Sequence, residues 1–228
     1  MRPTTPWSEV LDLLQPAFGQ TLYMISVATV FATLFGIPLG VLLHVSAPNG
    51  LRPLPVLHRI LGVVADFGRS VPFIVLIVLL QQIVTRPLLS TSIGPTAAIV
   101  PLAIGAVPFL GRLVQSALRE VDATVVEAAV TTGASRLRIV RSVLLGESAP
   151  ALVSAVGVTA VTLVGFSAIA GVVGGGGLGD LAIRYGYQRY DDRIMWTTVI
   201  VIGLLAMLLQ FLFDRVARLI DRRRHVTA

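Results

Sequence analysis

The chain has 228 residues, 55% hydrophobic and 13% charged, with a mean hydropathy of +0.85; a soluble domain is about 25% charged, and a 24.2 kDa body cannot hide so much apolar surface from water. The formal charge of +6 comes from 18 basic residues, all arginine, against 12 acidic ones, but uncharged stretches separate the arginines, which argues against the exposed basic face of a nucleic-acid binder. The absence of cysteine removes disulfides, thiolate metal sites and cysteine nucleophiles, and His44, His58 and His225 are too scattered to suggest a metal site.

At the N-terminus, Thr5-Pro6-Trp7 reads as a helix start, with Trp7, Val10, Leu11 and Leu14 on one face of a short helix lying in the outer membrane interface. A cleaved signal peptide is the weaker reading, because Glu9 and Asp12 stand where a basic leader belongs. Five charge-poor intervals follow, and a crossing helix needs about 20 apolar residues. Leu13 to Leu51 holds the first. Ser70 to Thr85 is short for a span and becomes long enough if its helix begins near Ile60, taking in Asp66 and Arg69. Pro87 to Gly111, Ser148 to Gly179 and Ile194 to Phe213 supply the others. The predicted spans are about 18–45, 60–85, 92–111, 148–173 and 194–213, with a loop at about 112–147, in one membrane domain over 1–228.

Arginines enriched in cytoplasmic loops set the orientation. Arg52, Arg59, Arg112, Arg119, Arg136, Arg138, Arg141, Arg215, Arg218, Arg222, Arg223 and Arg224 fall on one side, and Arg2, Arg86, Arg184, Arg189 and Arg193 on the other. The partition places the N-terminus outside and the C-terminus in the cytoplasm. Arg215, Arg218 and Arg222 form a basic stop region suited to acidic lipid.

The loop between the third and fourth spans is longer than a simple connection needs. Thr124-Val125-Val126-Glu127 fits a capping box, and the helix it starts ends at Gly133. Ser135 then caps a second helix, with Arg138 and Arg141 on a wet face and Ile139 and Val143 on another.

Glu127-Ala128-Ala129, three residues, Gly133, nine residues, then Val143-Leu144-Leu145 resembles the EAA loop of bacterial ABC importer permeases. Val143 stands for that pattern's isoleucine and Gly146 for its proline. Arg69-Ser70-Val71-Pro72-Phe73, the segment Leu163 to Ser167, the run Gly174 to Gly179 and Tyr185-Gly186-Tyr187 narrow the resemblance to the methionine-importer permeases over nearly the whole chain. The resemblance implies an all-α integral membrane protein of the type I importer fold in the bacterial cytoplasmic (inner) membrane, with five spans. It implies a homodimer, two cytoplasmic ATPase subunits that carry ATP and Mg, and an external substrate-binding lipoprotein. Glu127, Ala128, Ala129, Gly133 and Ser135 would couple the chain to the ATPase. The cargo implied is L- or D-methionine, the alternative being another amino acid or small polar solute.

No Walker A motif, catalytic triad or paired acid-base carboxylates occur, so the chain is expected to hold no catalytic residue, cofactor or metal of its own. A self-contained channel or secondary transporter is the alternative from another class; it needs intramembrane carboxylates or a repeat, and only Asp66 is available. Asp66 and Arg69, three apart on a helix, are a candidate ion pair. Ser70, Phe166 and Ser167 are candidates for the substrate path, and Gly176 and Gly177 for a flexible external gate. Gly174, Gly176 and Gly179 match G-x-G-x-x-G only in letters, because no strand precedes them. Gly36 and Gly40 form a GxxxG pair for close helix packing.

Overall fold

The computed structural model describes residues 5–221, so Arg2, Arg222, Arg223, Arg224 and His225 lie outside the described residues. All regular structure among the described residues is helical: α1 (Trp7–Val45), α2 (Pro55–Ser70), α3 (Phe73–Leu80), α4 (Arg86–Leu89), α5 (Pro95–Arg119), α6 (Ala123–Thr131), α7 (Arg136–Arg138), α8 (Leu145–Glu147), α9 (Ala149–Val172), α10 (Gly177–Leu181) and α11 (Asp192–Ile220). Three π-helical segments, Gln81–Thr85, Ile139–Leu144 and Ala182–Tyr187, lie between them. Four helices, α1, α5, α9 and α11, are long and apolar enough to cross a membrane, and a fifth crossing is available if the pair Pro55–Ser70 and Phe73–Leu89 counts as one broken span.

Two expectations about the first half of the chain are corrected. The N-terminal segment is no separate interfacial helix: α1 runs unbroken for 39 residues, about 58 Å at 1.5 Å per residue, well beyond a hydrocarbon core of about 30 Å. Packing decides this. Val10 and Ala17 are buried against Leu178, Leu181 and Ile194, which holds the first turns of α1 in line with the rest. Nor is the second span one continuous helix from 60 to 85. It breaks between α2 and α3, where the chain bends by 104°. Pro72 has no N–H to continue the ladder and biases Val71 away from helical geometry; its own carbonyl accepts from the Val75 and Leu76 amides and so starts α3. Pro101 and Pro108, in contrast, lie within an unbroken α5.

The chain divides into two compact units. The first takes the chain up to Phe31, then Val71–Ala106 and Ala160–Leu209. Its core gathers Val10 and Ala17 of α1, Leu178 and Leu181 of α10 and Ile194 of α11, flanked by Leu13, Leu14 and Phe18. The second takes Ala32–Ser70, Val107–Thr159 and the chain from Gln210 on. There the GxxxG pair finds its neighbour in the same chain. A Cβ on Gly40 would stand 2.5 Å from the Val114 side chain and 2.6 Å from the Gly111 carbonyl, and one on Gly36 would stand 3.0 Å from Leu110. Only glycine lets α1 and α5 approach this closely.

Candidate functional site

The loop that follows α5 is built from caps. Asp122, not Thr124, caps α6: its Oδ1 accepts the Thr124 amide at 2.9 Å and the Thr124 hydroxyl at 2.8 Å. The expected capping box is therefore replaced, because a carboxylate two residues upstream takes the free N–H groups and Thr124 becomes a donor to it. At the other end, Gly133 has φ +77, the Ala134 amide donates to Ala129 O and the Gly133 amide to Val130 O. This pair of bonds is the Schellman arrangement. Ser135 then caps α7, its hydroxyl accepting the Arg138 amide at 3.4 Å.

Beyond α7 the chain is π-helical over Ile139–Leu144 and packs against α6. The buried pair there is Ile139 and Leu144, five residues apart, rather than the expected Ile139 and Val143. A ladder of i→i+5 bonds returns to the same face one residue later than an α-helix. Two side chains thus anchor the loop, while Glu127 and Ala128 are exposed and Ala129 is half-buried. Val125, Val130 and Leu137 are 41%, 53% and 58% exposed, which leaves an apolar surface of this short element open. Gly146, in place of the pattern's proline, lies in α8, and the turn into α9 is made by Ser148, whose hydroxyl donates to Leu144 O at 2.6 Å.

Asp66 does not pair with Arg69. Its Oδ2 accepts Arg112 of α5 at 2.6 Å, and the same guanidinium donates to Gly62 O at 3.0 Å and to Gln115 Oε1 at 2.7 Å. Gln115 and His58 both reach Leu43 O, at 3.4 and 3.0 Å, so the ends of α1, α2 and α5 share one polar cluster. The sequence spacing pointed to Arg69 because three residues place it on the face of Asp66, but a long-range partner on α5 satisfies the carboxylate instead.

Of the path candidates, Phe166 stacks on Phe73 with ring centroids 4.1 Å apart and 5° between planes. Ser167 is buried and donates to Val164 O at 2.7 Å within its own helix. Ser70 belongs to the other unit, where its exposed hydroxyl donates to Asp66 O at 2.8 Å. The glycine run is not a free loop. Gly176 and Gly177 have φ +77 and +76, the Gly177 amide donates to Gln20 Oε1 and the Leu178 amide to Thr21 Oγ1, both at 2.8 Å. These α1 side chains satisfy the amides that begin α10. No sequence signal singled out Gln20 and Thr21, since a polar pair in an apolar helix identifies no partner. Gln81 Nε2 and Thr85 Oγ1, in the π-helical segment after α3, are buried without a hydrogen bond among the described residues; the polar interruption Gln81-Gln82 in an apolar run was their only trace.

Residues 36–226 match the family of binding-protein-dependent transport system inner membrane components. The chain belongs to that family. It is accordingly an integral membrane permease component, without a catalytic role of its own. Among relatives of this permease, the probable D-methionine transport system permease protein MetI of Vibrio cholerae is 51% identical over 93% of this chain and 94% of its own length. The methionine import system permease protein MetP of Bacillus subtilis is 40% identical over 80% and 82%. Among solved structures, an inward-facing conformation of the MetNI methionine ABC transporter superposes with a TM-score of 0.92 at 41% identity, covering 94% of this chain and 99% of the other. The permease therefore has the all-helical fold of that transporter's membrane chain.

Proposed function

We propose that the chain is the permease subunit of a bacterial ABC importer for methionine in the cytoplasmic membrane, working as a homodimer with two ATPase subunits and an external substrate-binding lipoprotein. The observation that carries this reading is the capped α6 with its open apolar surface: Glu127, Ala128, Ala129, Gly133 and Ser135 stand on an element that is anchored at Ile139 and Leu144 and unpartnered outward. The likeness to relatives named for methionine or D-methionine transport supports the cargo. ATP and Mg belong to the partner. When the ATPases close, α6 moves with them and the dimer's path passes from inward-open to outward-open. Phe166, Ser167 and Ser70 are proposed to border that path, and the Gly176-Gly177 turn to act at its outer end. The orientation follows the arginine partition, N-terminus outside and the α6 loop in the cytoplasm.

The test is methionine uptake into vesicles holding the permease, the ATPase and the binding protein. Uptake should require ATP and stop when Glu127 is replaced by Ala while the dimer persists; uptake without any ATPase would sink the reading. Single cysteines introduced by Thr91→Cys and Ser142→Cys check the orientation in intact cells, where labelling at position 142 but not at 91 would reverse it.

A further inference from the structure

Where α2 and α5 meet in the second unit, a cavity of about 470 Å³ is lined by Arg69, Arg112, Arg119 and Asp66, with Phe109 and Leu113 as its apolar wall. Three guanidiniums thus face one carboxylate. Arg112 is held in place by Asp66, Gly62 O and Gln115, and its Nε is buried with no hydrogen-bond partner among the described residues. Arg69 and Arg119 are exposed at the rim and form no ion pair among the described residues. The cavity therefore has unspent donors and an excess of positive charge.

Its place along the chain says what kind of anion meets it. From Pro95 to Gly111, α5 carries no charge, and its charged residues begin at Arg112, so this end of the helix marks the boundary of the apolar layer. Beside the cavity, α2 is amphipathic: Asp66 and Arg69 share one face, and Ile60, Val63, Val64 and Phe67, 56% to 70% exposed, form the adjoining stripe. A basic pocket next to an exposed apolar stripe, at the edge of the apolar layer, fits an anion that brings its own hydrocarbon.

We infer that the Arg69, Arg112 and Arg119 cavity binds the phosphate headgroup of an anionic phospholipid, whose acyl chains lie along the apolar stripe of α2. Arg112, already oriented, supplies the fixed contact; Arg69 and Arg119 close on the phosphate from the rim.

The test uses the full-length chain purified in a neutral detergent and titrated under native mass spectrometry with phosphatidylglycerol, with phosphatidylcholine of the same acyl chains, and with inorganic phosphate. Phosphatidylglycerol should bind in preference to phosphatidylcholine. Arg69→Gln and Arg119→Gln should each weaken it about fivefold, the equivalent of about 1 kcal/mol per basic residue near an anionic surface, and the double variant should abolish the preference. Arg69→Lys and Arg119→Lys keep the charge and should retain most of the preference, which separates a lost charge from a damaged fold. Arg136→Gln, on the exposed α7 and outside the lining of the cavity, should leave the preference unchanged. Equal binding of the two lipids, or a preference that survives the double variant, would overturn the assignment. So would inorganic phosphate binding as tightly as phosphatidylglycerol with the same dependence on the arginines, since the site would then read a free oxyanion rather than a lipid.

Discussion

Thr5 and Asp191, 186 residues apart, are joined by two hydrogen bonds: the Asp191 Oδ2 accepts the Thr5 amide at 2.8 Å and its hydroxyl at 2.5 Å. The other oxygen of the same carboxylate accepts the Arg193 and Ile194 amides and so caps α11. Arg193 completes the clasp, donating to Thr5 O at 2.6 Å and lying 4.9 Å from the Trp7 ring centre. One buried carboxylate therefore starts α11 and fastens the segment that leads into α1.

Asp191 gives this clasp a pH dependence. Burial pushes its carboxyl up, but the Thr5 hydroxyl and amide and the Ile194 and Arg193 amides more than offset this and hold it below the ordinary 3.8. A depressed folded-state value means that the stabilisation is complete above 3.8 and is lost as the pH falls through 3.8 toward the folded value. Asp191→Asn should cost about 1 kcal/mol near neutral pH, the difference between charge-assisted and neutral bonds. Thermal unfolding in detergent should show the gap between wild type and variant closing as the pH drops below 3.8.

Gly133 is the one left-handed position of the α6 loop, and no atom lies within 4 Å of where its Cβ would be. The penalty of a side chain there is backbone strain rather than a clash, about 1–2 kcal/mol. Gly133→Val is expected to leave the proposed dimer intact and lower ATP-dependent methionine uptake severely, the outcome also expected of Glu127→Ala. Unchanged uptake by Gly133→Val would show that the Schellman turn does not position α6 for coupling.

The identity of the α6 cap can be tested by hydrogen exchange. Asp122→Ala should lower the protection of the Thr124 amide by about 1 kcal/mol, because that amide donates to Asp122. Thr124→Ala, which removes only a donor to the same carboxylate, should change the protection of α6 much less. The opposite ranking would restore the capping box that the sequence led us to expect.

The closeness of α1 and α5 makes a graded prediction. Gly40→Ala meets both the Val114 side chain and the Gly111 carbonyl, and a backbone atom cannot step aside. It should destabilise by about 1–3 kcal/mol. Gly36→Ala meets only Leu110, at 3.0 Å, and should cost less, while Gly165→Ala meets nothing within 4 Å and serves as the control. Unfolding midpoints in detergent that do not follow this order would refute the packing account.

Much of this protein was legible in one dimension. Charge-free intervals marked α1, α5, α9 and α11, because a helix that faces lipid cannot carry many charges whatever it packs against. The spacing from Glu127 to Gly133 and on to Val143 located the capped α6 loop, since caps and left-handed glycines act over a few residues. Ser135 was legible as a cap for the same reason. The polar partners were not. Asp66 with Arg112, Gln20 with Gly177, Thr21 with Leu178 and Thr5 with Asp191 are joined across 46, 157, 157 and 186 residues, and the only sequence hint for Asp66 favoured its near neighbour Arg69.

What the sequence by itself determined is the membrane class, the four long apolar helices and the place of the α6 loop, all properties of local composition and spacing. The tertiary structure alone decided that the glycine run is pinned to α1, that the chain bends between α2 and α3 at Pro72, and that Asp66 pairs with Arg112 to leave Arg69 and Arg119 at a basic cavity with no ion pair among the described residues. The physical reason is that an ionic group buried among helices takes whichever partner the packing brings within about 3 Å, and packing is set by the steric fit of distant glycines and side chains that no local pattern records.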